Sequence, residues 1–207
     1  PRHFPYPEEP APAAGWQAAV QVIPADPSLH EVILSGGDPL SLATSKLVEL
    51  TDAMRAIPHV RRLRIHTRLP IVLPERVDDE LCQWLANLPW PVAIVVHANH
   101  ASEFDAGVDA AMQALRGCRA TVLNQAVLLR GANDDPDRLR ALSERSFEAG
   151  VVPYYLHQLD RVAGAAHFEV DDAEARRLHA ALLAGPPGYL VPRLVREVAG
   201  DTSKRPM

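Results

Sequence analysis

Short strand-like segments recur along this chain at intervals of about thirty residues, each followed by a helical pattern. The segments are His30–Leu34, Val60–Thr67, Val92–Val96, Ala120–Leu123 and Val151–Leu156. Between them the apolar residues fall at helical spacing. Gly15–Ile23 is stopped by Pro24 and Pro27. A second helix, capped by Thr44 or Ser45, runs through Leu47, Leu50, Met54 and Ile57 to Pro58. Val77–Leu88, Glu103–Leu115 and Pro136–Ala149 follow, the last ended by Gly150. Such an alternation predicts parallel β/α units with helices outside the sheet.

An open doubly wound sheet and a closed or partly closed barrel both meet that pattern, and the polar residues separate them. Gly36, Gly37 and Asp38, then His66 and Arg68, then His97, Asn99 and His100, then Asn124 and Gln125, then His157 and Asp160 all read as strand-end residues. A functional face built from the carboxyl ends of many strands is the property of a β/α barrel. An open sheet gathers its ligand at one switch point and needs fewer decorated ends. The expected fold is therefore α/β, a partial barrel of parallel strands with outer helices.

Composition narrows the chemistry. The 207 residues carry a net charge of −5, with a pI near 6.0, which gives no general pull toward nucleic acid. No apolar run approaches the ~20 residues needed to span a membrane, and no cationic start precedes an apolar segment. Two cysteines, Cys82 and Cys118, stand in separate elements without partner spacing, which fits a reducing cytoplasm with both thiols as filler. Lysine occurs only at Lys46 and Lys204, so any amine chemistry by a lysine side chain falls to one of these two. The sequence opens at Pro1 inside a charged, aromatic segment and stops at Met207 after a polar run, so both ends read as cut.

Taken singly, the strand-end residues leave alternatives open. In Glu31–Leu40 (EVILSGGDPL) two adjacent glycines clear the backbone for a small polar ligand, or merely make a tight turn. His97 and His100 fit a structural hydrogen bond or a ligand contact better than zinc, because acids and cysteines are lacking nearby. Asn124 and Gln125 either cap a strand or recognise ribose, base or carboxylate groups. Asp160 is a loop carboxylate or one that needs a cationic partner. Lys204 is a tail lysine or an imine former.

The motifs RHFPY at 2–6, SGGDPL at 35–40, RLRIHTRLPIVLPERV at 62–77, HANHASE at 97–103 and LNQAVLLRGAND at 123–134 resemble the lysine 2,3-aminomutase family, and PYYLHQLDRVAGAAHF at 153–168 and GYLVPRLVREVAGDTSK at 188–204 continue the match. The resemblance spans essentially the whole chain in order. The wording LHQLD…GAAHF and the short finish after Lys204 look most like the branch that makes β-lysine for modifying elongation factor P. The resemblance implies a radical S-adenosylmethionine enzyme with a [4Fe-4S] cluster and pyridoxal phosphate, on a partial β/α barrel of the radical SAM type. Residues 1–188 would form the barrel and 189–207 a segment packed on it that carries the cofactor lysine.

Position by position, the resemblance gives Gly36, Gly37 and Asp38 the amino end of S-adenosylmethionine, with His97 and Gln125 as further contacts to that cofactor. It makes Lys204 the lysine that holds pyridoxal phosphate as an internal aldimine, and the catalytic lysine. It sets Asp160 against the side-chain amine of substrate L-lysine. The usual partner, an Asp seven residues before the aldimine lysine, is here Glu197, which keeps the charge on a longer arm. The implied reaction begins when the reduced cluster splits S-adenosylmethionine to a 5′-deoxyadenosyl radical. The radical takes a hydrogen from the β-carbon of bound lysine, the nitrogen migrates, and the hydrogen returns. A flavodoxin or ferredoxin would supply the electron, with no nucleic acid or membrane involved and a homo-oligomer left open.

The family's CxxxCxxC motif would precede the RHFPY segment, and the first barrel strand with it, so no metal ligand is expected within this chain. Pro1 stands where the family has an arginine for the substrate carboxylate, and Arg2 matches the next one. As given, the chain is expected to be a fragment that does not assemble the cluster. Two other readings stand beside it. One is a catabolic lysine or glutamate 2,3-aminomutase, of which Asp160 and Glu197 favour a cationic substrate. The other is a cluster-free pyridoxal-phosphate-binding or structural β/α domain.

Overall fold

A computed structural model describes residues 13–160, 164–198, 200–201 and 203–207. The expectations for Pro1 and Arg2 lie outside these residues. Seven strands form one sheet in chain order: β1 (Glu31–Leu34), β2 (Arg62–Thr67), β3 (Val92–Val96), β4 (Thr121–Leu128), β5 (Val152–Gln158), β6 (Arg193–Arg196) and β7 (Arg205–Pro206). All pairings from β1 to β6 are parallel, and β7 returns antiparallel on β6. The sheet curves into a half-barrel with helices on its convex side, as the sequence predicts.

The helices are α1 (Ala13–Val22), α2 (Thr44–Arg55), α3 (Leu69–Val72), α4 (Asp79–Ala86), α5 (Ala106–Gly117), α6 (Pro136–Glu148) and α7 (Asp172–Leu183). No described helix is long and apolar enough to cross a membrane. An aspartate starts four of them. The carboxylates of Asp78, Asp105, Asp135 and Asp171 accept backbone N–H groups in the first turns of α4, α5, α6 and α7 at 2.8–3.1 Å. Each such cap satisfies donors that the helix itself leaves unpaired, for about 1 kcal/mol. The start of α2 differs from expectation. Its cap position is Ala43, with no side-chain bond, and Thr44 lies inside the helix, where its hydroxyl accepts from Arg76 at 3.1 Å.

Alternation along the strands divides the sheet into two faces. Leu63, Ile65, Ile94, Val96, Val122, Leu128, Leu156 and Leu194 are buried toward the helices. There they pack with Leu47, Met54, Leu81, Trp84, Met112, Leu115, Leu139 and Leu178 in one core. Burial of each such side chain contributes about 1.5–3 kcal/mol. The opposite, concave face carries Arg64, His66, Gln125, Tyr155 and His157, and the register fixes their order across it, with Gln125 beside Tyr155 and Val127 beside His157.

Two strand-end expectations are corrected. Asn124 and Gln125 do not follow a strand; they lie in the middle of β4, which runs on to Leu128. The strand tolerates the buried Asn124 because its amide exchanges hydrogen bonds with the backbone of Ala98, at 2.9 and 3.0 Å. The pairing with β5 shifts between Asn124 and Gln125, where Tyr154 of β5 is the extra residue between Pro153 and Tyr155. Likewise His157 and Gln158 belong to β5 rather than to the loop beyond it. Cys82 and Cys118 stand in separate elements, as the sequence predicts, and meet between α4 and the end of α5. Burial and the contact with Cys118 push the Cys82 thiol up to about 12. Both thiols remain free.

Candidate functional site

The turn after β1 is braced against the end of β2. Pro39–Ser41 makes one helical turn, and the Asp38 carboxylate caps it at Leu40 N–H, 3.1 Å. The same oxygen accepts from the Thr67 hydroxyl at 2.6 Å, and the second oxygen accepts Arg68 N–H at 2.7 Å. Asp38 thus ties the turn to the end of β2, and its carboxylate is used by the fold. The glycines before it are open. A Cβ at Gly36 or Gly37 would meet nothing within 4 Å, and Gly37 has φ +61°, which side chains rarely adopt. The peptide groups of Gly36–Gly37 are what this turn offers a ligand.

Beside it stands His97, just past β3. Its Nε2 atom is buried with no hydrogen-bond partner among the described residues, and the same holds for Gln125 Oε1 on β4. Buried polar atoms are nearly always paired, so two orphans on one rim mark a place for a polar ligand. Burial lowers the pKa of His97, with Arg68 and Lys204 adding to the effect against the pull of Asp38. His66 lies edge-on to His97 with ring centres 5.9 Å apart, and burial, aided by Arg64, holds it down at about 4. His100 plays a structural part: it caps the turn Ala101–Glu103, while Glu103 binds the N–H groups of Asn99 and His100 at 2.6 and 2.9 Å.

Across the concave face, Lys204 reaches in from the segment between β6 and β7. Its ammonium lies 3.1 Å from Glu197 Oε1, 3.0 Å from His157 Nε2 and 5.1 Å above the ring of Tyr155. Arg64, Tyr155, Glu197, Asp201 and Lys204 line a cavity of about 390 Å³ here. Arg64 is held by Glu31 at 2.8 Å, whereas its Nε is buried without a partner among the described residues.

Of the residues singled out in the sequence, the fold gathers Gly36, Gly37, Asp38 and His97 on one rim with Gln125 beside them, and Glu197 with Lys204 on the opposite side. Asp160 lies two residues past β5, half-buried, and does not line the cavity that holds Glu197 and Lys204. Sequence reasoning missed Tyr155 and His157 as the platform under Lys204. The signal was their i, i+2 spacing, which puts both on one face once β5 is extended to Gln158.

The groups implied by the sequence can be tested on these residues. Open glycine peptides with two orphaned polar atoms fit a small polar cofactor such as S-adenosylmethionine, and a lysine in a cavity beside an aromatic ring fits an aldehyde cofactor. An iron–sulfur cluster does not fit Cys82 and Cys118. These lie on the outer helices, with Cys118 at the amino-terminal end of β4, opposite the rim. Among the described residues no three His, Cys, Asp or Glu side chains form a metal-binding group.

No protein-family model matches the chain. The L-lysine 2,3-aminomutase of Escherichia coli is 48% identical over 206 residues, covering 100% of this chain and 60% of that protein. The L-lysine 2,3-aminomutase of Haemophilus influenzae is 47% identical over 203 residues, 98% of this chain and 60% of that protein. That of Fusobacterium nucleatum is 34% identical over 189 residues, 91% and 44%. This chain therefore spans about 60% of the length of its first two relatives. Among solved structures, native anSMEcpe with bound AdoMet and the Kp18Cys peptide matches with TM-score 0.58 at 9% identity, over 81% of this chain and 50% of that one. A radical SAM methyltransferase from Sphaerobacter thermophilus matches with TM-score 0.54 at 19% identity, over 88% and 55%. These two speak for the fold alone. Over the stretch it shares with these relatives, the chain is similar in sequence to proteins named L-lysine 2,3-aminomutase, and it has the fold of these two solved structures.

Proposed function

We propose that this chain forms the substrate and cofactor face of an L-lysine 2,3-aminomutase, an isomerase that converts α-lysine to β-lysine. The observation that carries the reading is the placement of Lys204. It is one of two lysines in the sequence, and it is drawn to the concave face between Glu197, His157 and Tyr155, in a chain nearly half identical to two proteins named L-lysine 2,3-aminomutase.

In this reading Lys204 would hold pyridoxal phosphate in the cavity that Tyr155 also lines. The Gly36–Gly37 peptides, His97 Nε2 and Gln125 Oε1 hold S-adenosylmethionine, while Asp38 fixes the turn that presents the glycines. Bound there, the two groups supply a carbon radical and an aldehyde that conjugates with the migrating amine. The chain's own residues orient and shield. Apolar Val95, Leu123 and Val127 on the inner face keep water from the reacting centre. Glu197 would supply negative charge for the side-chain amine of lysine once Lys204, whose ammonium it holds in the cofactor-free chain, carries the aldehyde; Asp160, the second carboxylate of this reading, lies outside that cavity. A reduced [4Fe-4S] cluster has no ligands among this chain's two cysteines, and no step is assigned to it here. A flavodoxin or ferredoxin would be the reductant of the whole enzyme. The β-lysine would serve β-lysylation of elongation factor P, a reading supported by the LHQLD…GAAHF wording.

The test is an absorbance titration of the purified chain with pyridoxal phosphate. A visible band from the lysine-bound aldehyde is expected, kept in Lys46→Ala and lost in Lys204→Ala. A band that survives Lys204→Ala, or no band at all, overturns the reading.

A further inference from the structure

We infer that His157 is the positioning residue of Lys204, an uncharged imidazole that holds the lysine nitrogen both as an ammonium and as a free amine. The inference deepens the proposed role of Lys204 and rests on that reading for its purpose, but not for its geometry.

His157 is 8% exposed and sits on the inner face of β5, between Val127 and Val195 in the register. Its Nε2 is 3.0 Å from Lys204 Nζ. Two residues back on the same face, Tyr155 packs edge-on against the His157 ring and lies under the same ammonium. One strand thus provides both a floor and a tether for a flexible side chain with four rotatable bonds. A carboxylate tether would favour the ammonium alone. An imidazole differs: with its proton on Nδ1, Nε2 accepts from the ammonium, and with the proton on Nε2 it donates to the amine. Lys204 can then lose its proton without losing its place, which an amine must do before it attacks a carbonyl.

The surroundings keep the imidazole uncharged. Burial, reinforced by the charge of Lys204, holds His157 down at about 4. The groups facing the pair are Glu197 beyond β6, His66 and Arg64 on β2, His97 beyond β3 and Asp201, which pairs with Arg205 on β7 at 2.9 Å.

The experiment is nitrogen-15 NMR on the full chain without cofactor, whose two lysines are told apart by Lys46→Arg. As Lys204 titrates, the His157 proton is expected to move from Nδ1 to Nε2 with no charge gained, and this change is expected to vanish in Lys204→Met. In His157→Leu, exchange of the Lys204 ammonium protons with water is expected to quicken about fivefold, the loss of one ordinary hydrogen bond. His157→Gln, whose amide also offers a donor and an acceptor, is expected to restore slow exchange. A His157 tautomer indifferent to Lys204 overturns the inference, as does unchanged exchange in a folded His157→Leu. If His157→Leu does not fold, the Lys204→Met comparison decides alone. Since no cofactor is present, failure of the pyridoxal phosphate titration would leave this result standing, and the reverse holds too.

Discussion

The Asp38 carboxylate accepts the Thr67 hydroxyl at 2.6 Å, joining the turn after β1 to the last residue of β2. The same carboxylate holds Arg68 N–H, so one side chain fixes the opening of the glycine turn toward the rim. Asp38→Ala leaves the Thr67 hydroxyl and the Leu40 and Arg68 N–H groups without their acceptor and is expected to destabilise the chain by about 1–3 kcal/mol. Thr67→Val removes the hydroxyl's bond to Asp38 and the bond it accepts from Leu69 N–H at 3.1 Å, but leaves the carboxylate with its two backbone donors, and is expected to cost less. Urea denaturation of both variants measures the order.

If His97 Nε2 and Gln125 Oε1 are reserved for a ligand, their removal should affect binding more than folding. His97→Phe and Gln125→Leu are expected to leave the melting temperature within a few degrees of the parent. Each is expected to weaken S-adenosylmethionine binding about fivefold or more, the worth of one hydrogen bond. Calorimetric titration gives both numbers, and equal binding by all three chains would return these atoms to the fold.

Gly150 ends α6 with φ +78°, and a Cβ placed there would lie 2.2 Å from the Arg116 guanidinium. That guanidinium is the mobile end of a long side chain, so the backbone term dominates. Gly150→Ala is expected to cost about 1–2 kcal/mol, nearly unchanged in an Arg116→Ala background. A cost that disappears in that background would assign it to the collision instead.

Acid is expected to loosen the concave face. Burial holds His66 and His157 at about 4 in the folded chain, below the ~6.5 of an unfolded histidine. Between those values the unfolded chain binds more protons. The stability these two residues contribute is therefore complete above about pH 6.5 and is lost as the pH falls toward 4. Denaturation midpoints across that window should fall with pH, and less steeply in His66→Gln, which removes one of the two groups.

The strand–helix alternation was legible because buried parallel strands are short, apolar and bounded by turn residues. Thus β1, β2 and β3 lie close to where their patterns put them. The errors come from polar residues inside strands. Asn124 looks like a strand end because a buried amide there needs partners that sequence does not display, and the fold supplies them from Ala98. His157 was set beyond β5 for the same reason. The strands β6 and β7, four and two residues long, are too short to show a period. At the site, the glycine turn and Lys204 stood out by their chemistry. The pairing of Lys204 with His157, 47 residues apart, depends on the sheet register and has no local signature.

The account turns on Lys204, and trapping measures it most directly. The chain is treated with pyridoxal phosphate at a low ratio, reduced with borohydride, digested and mapped by mass spectrometry. The label is expected on the peptide that carries Lys204, with little on Lys46, although Lys46 is the more exposed of the two. A label divided between the two lysines by exposure, or concentrated on Lys46, would contradict it.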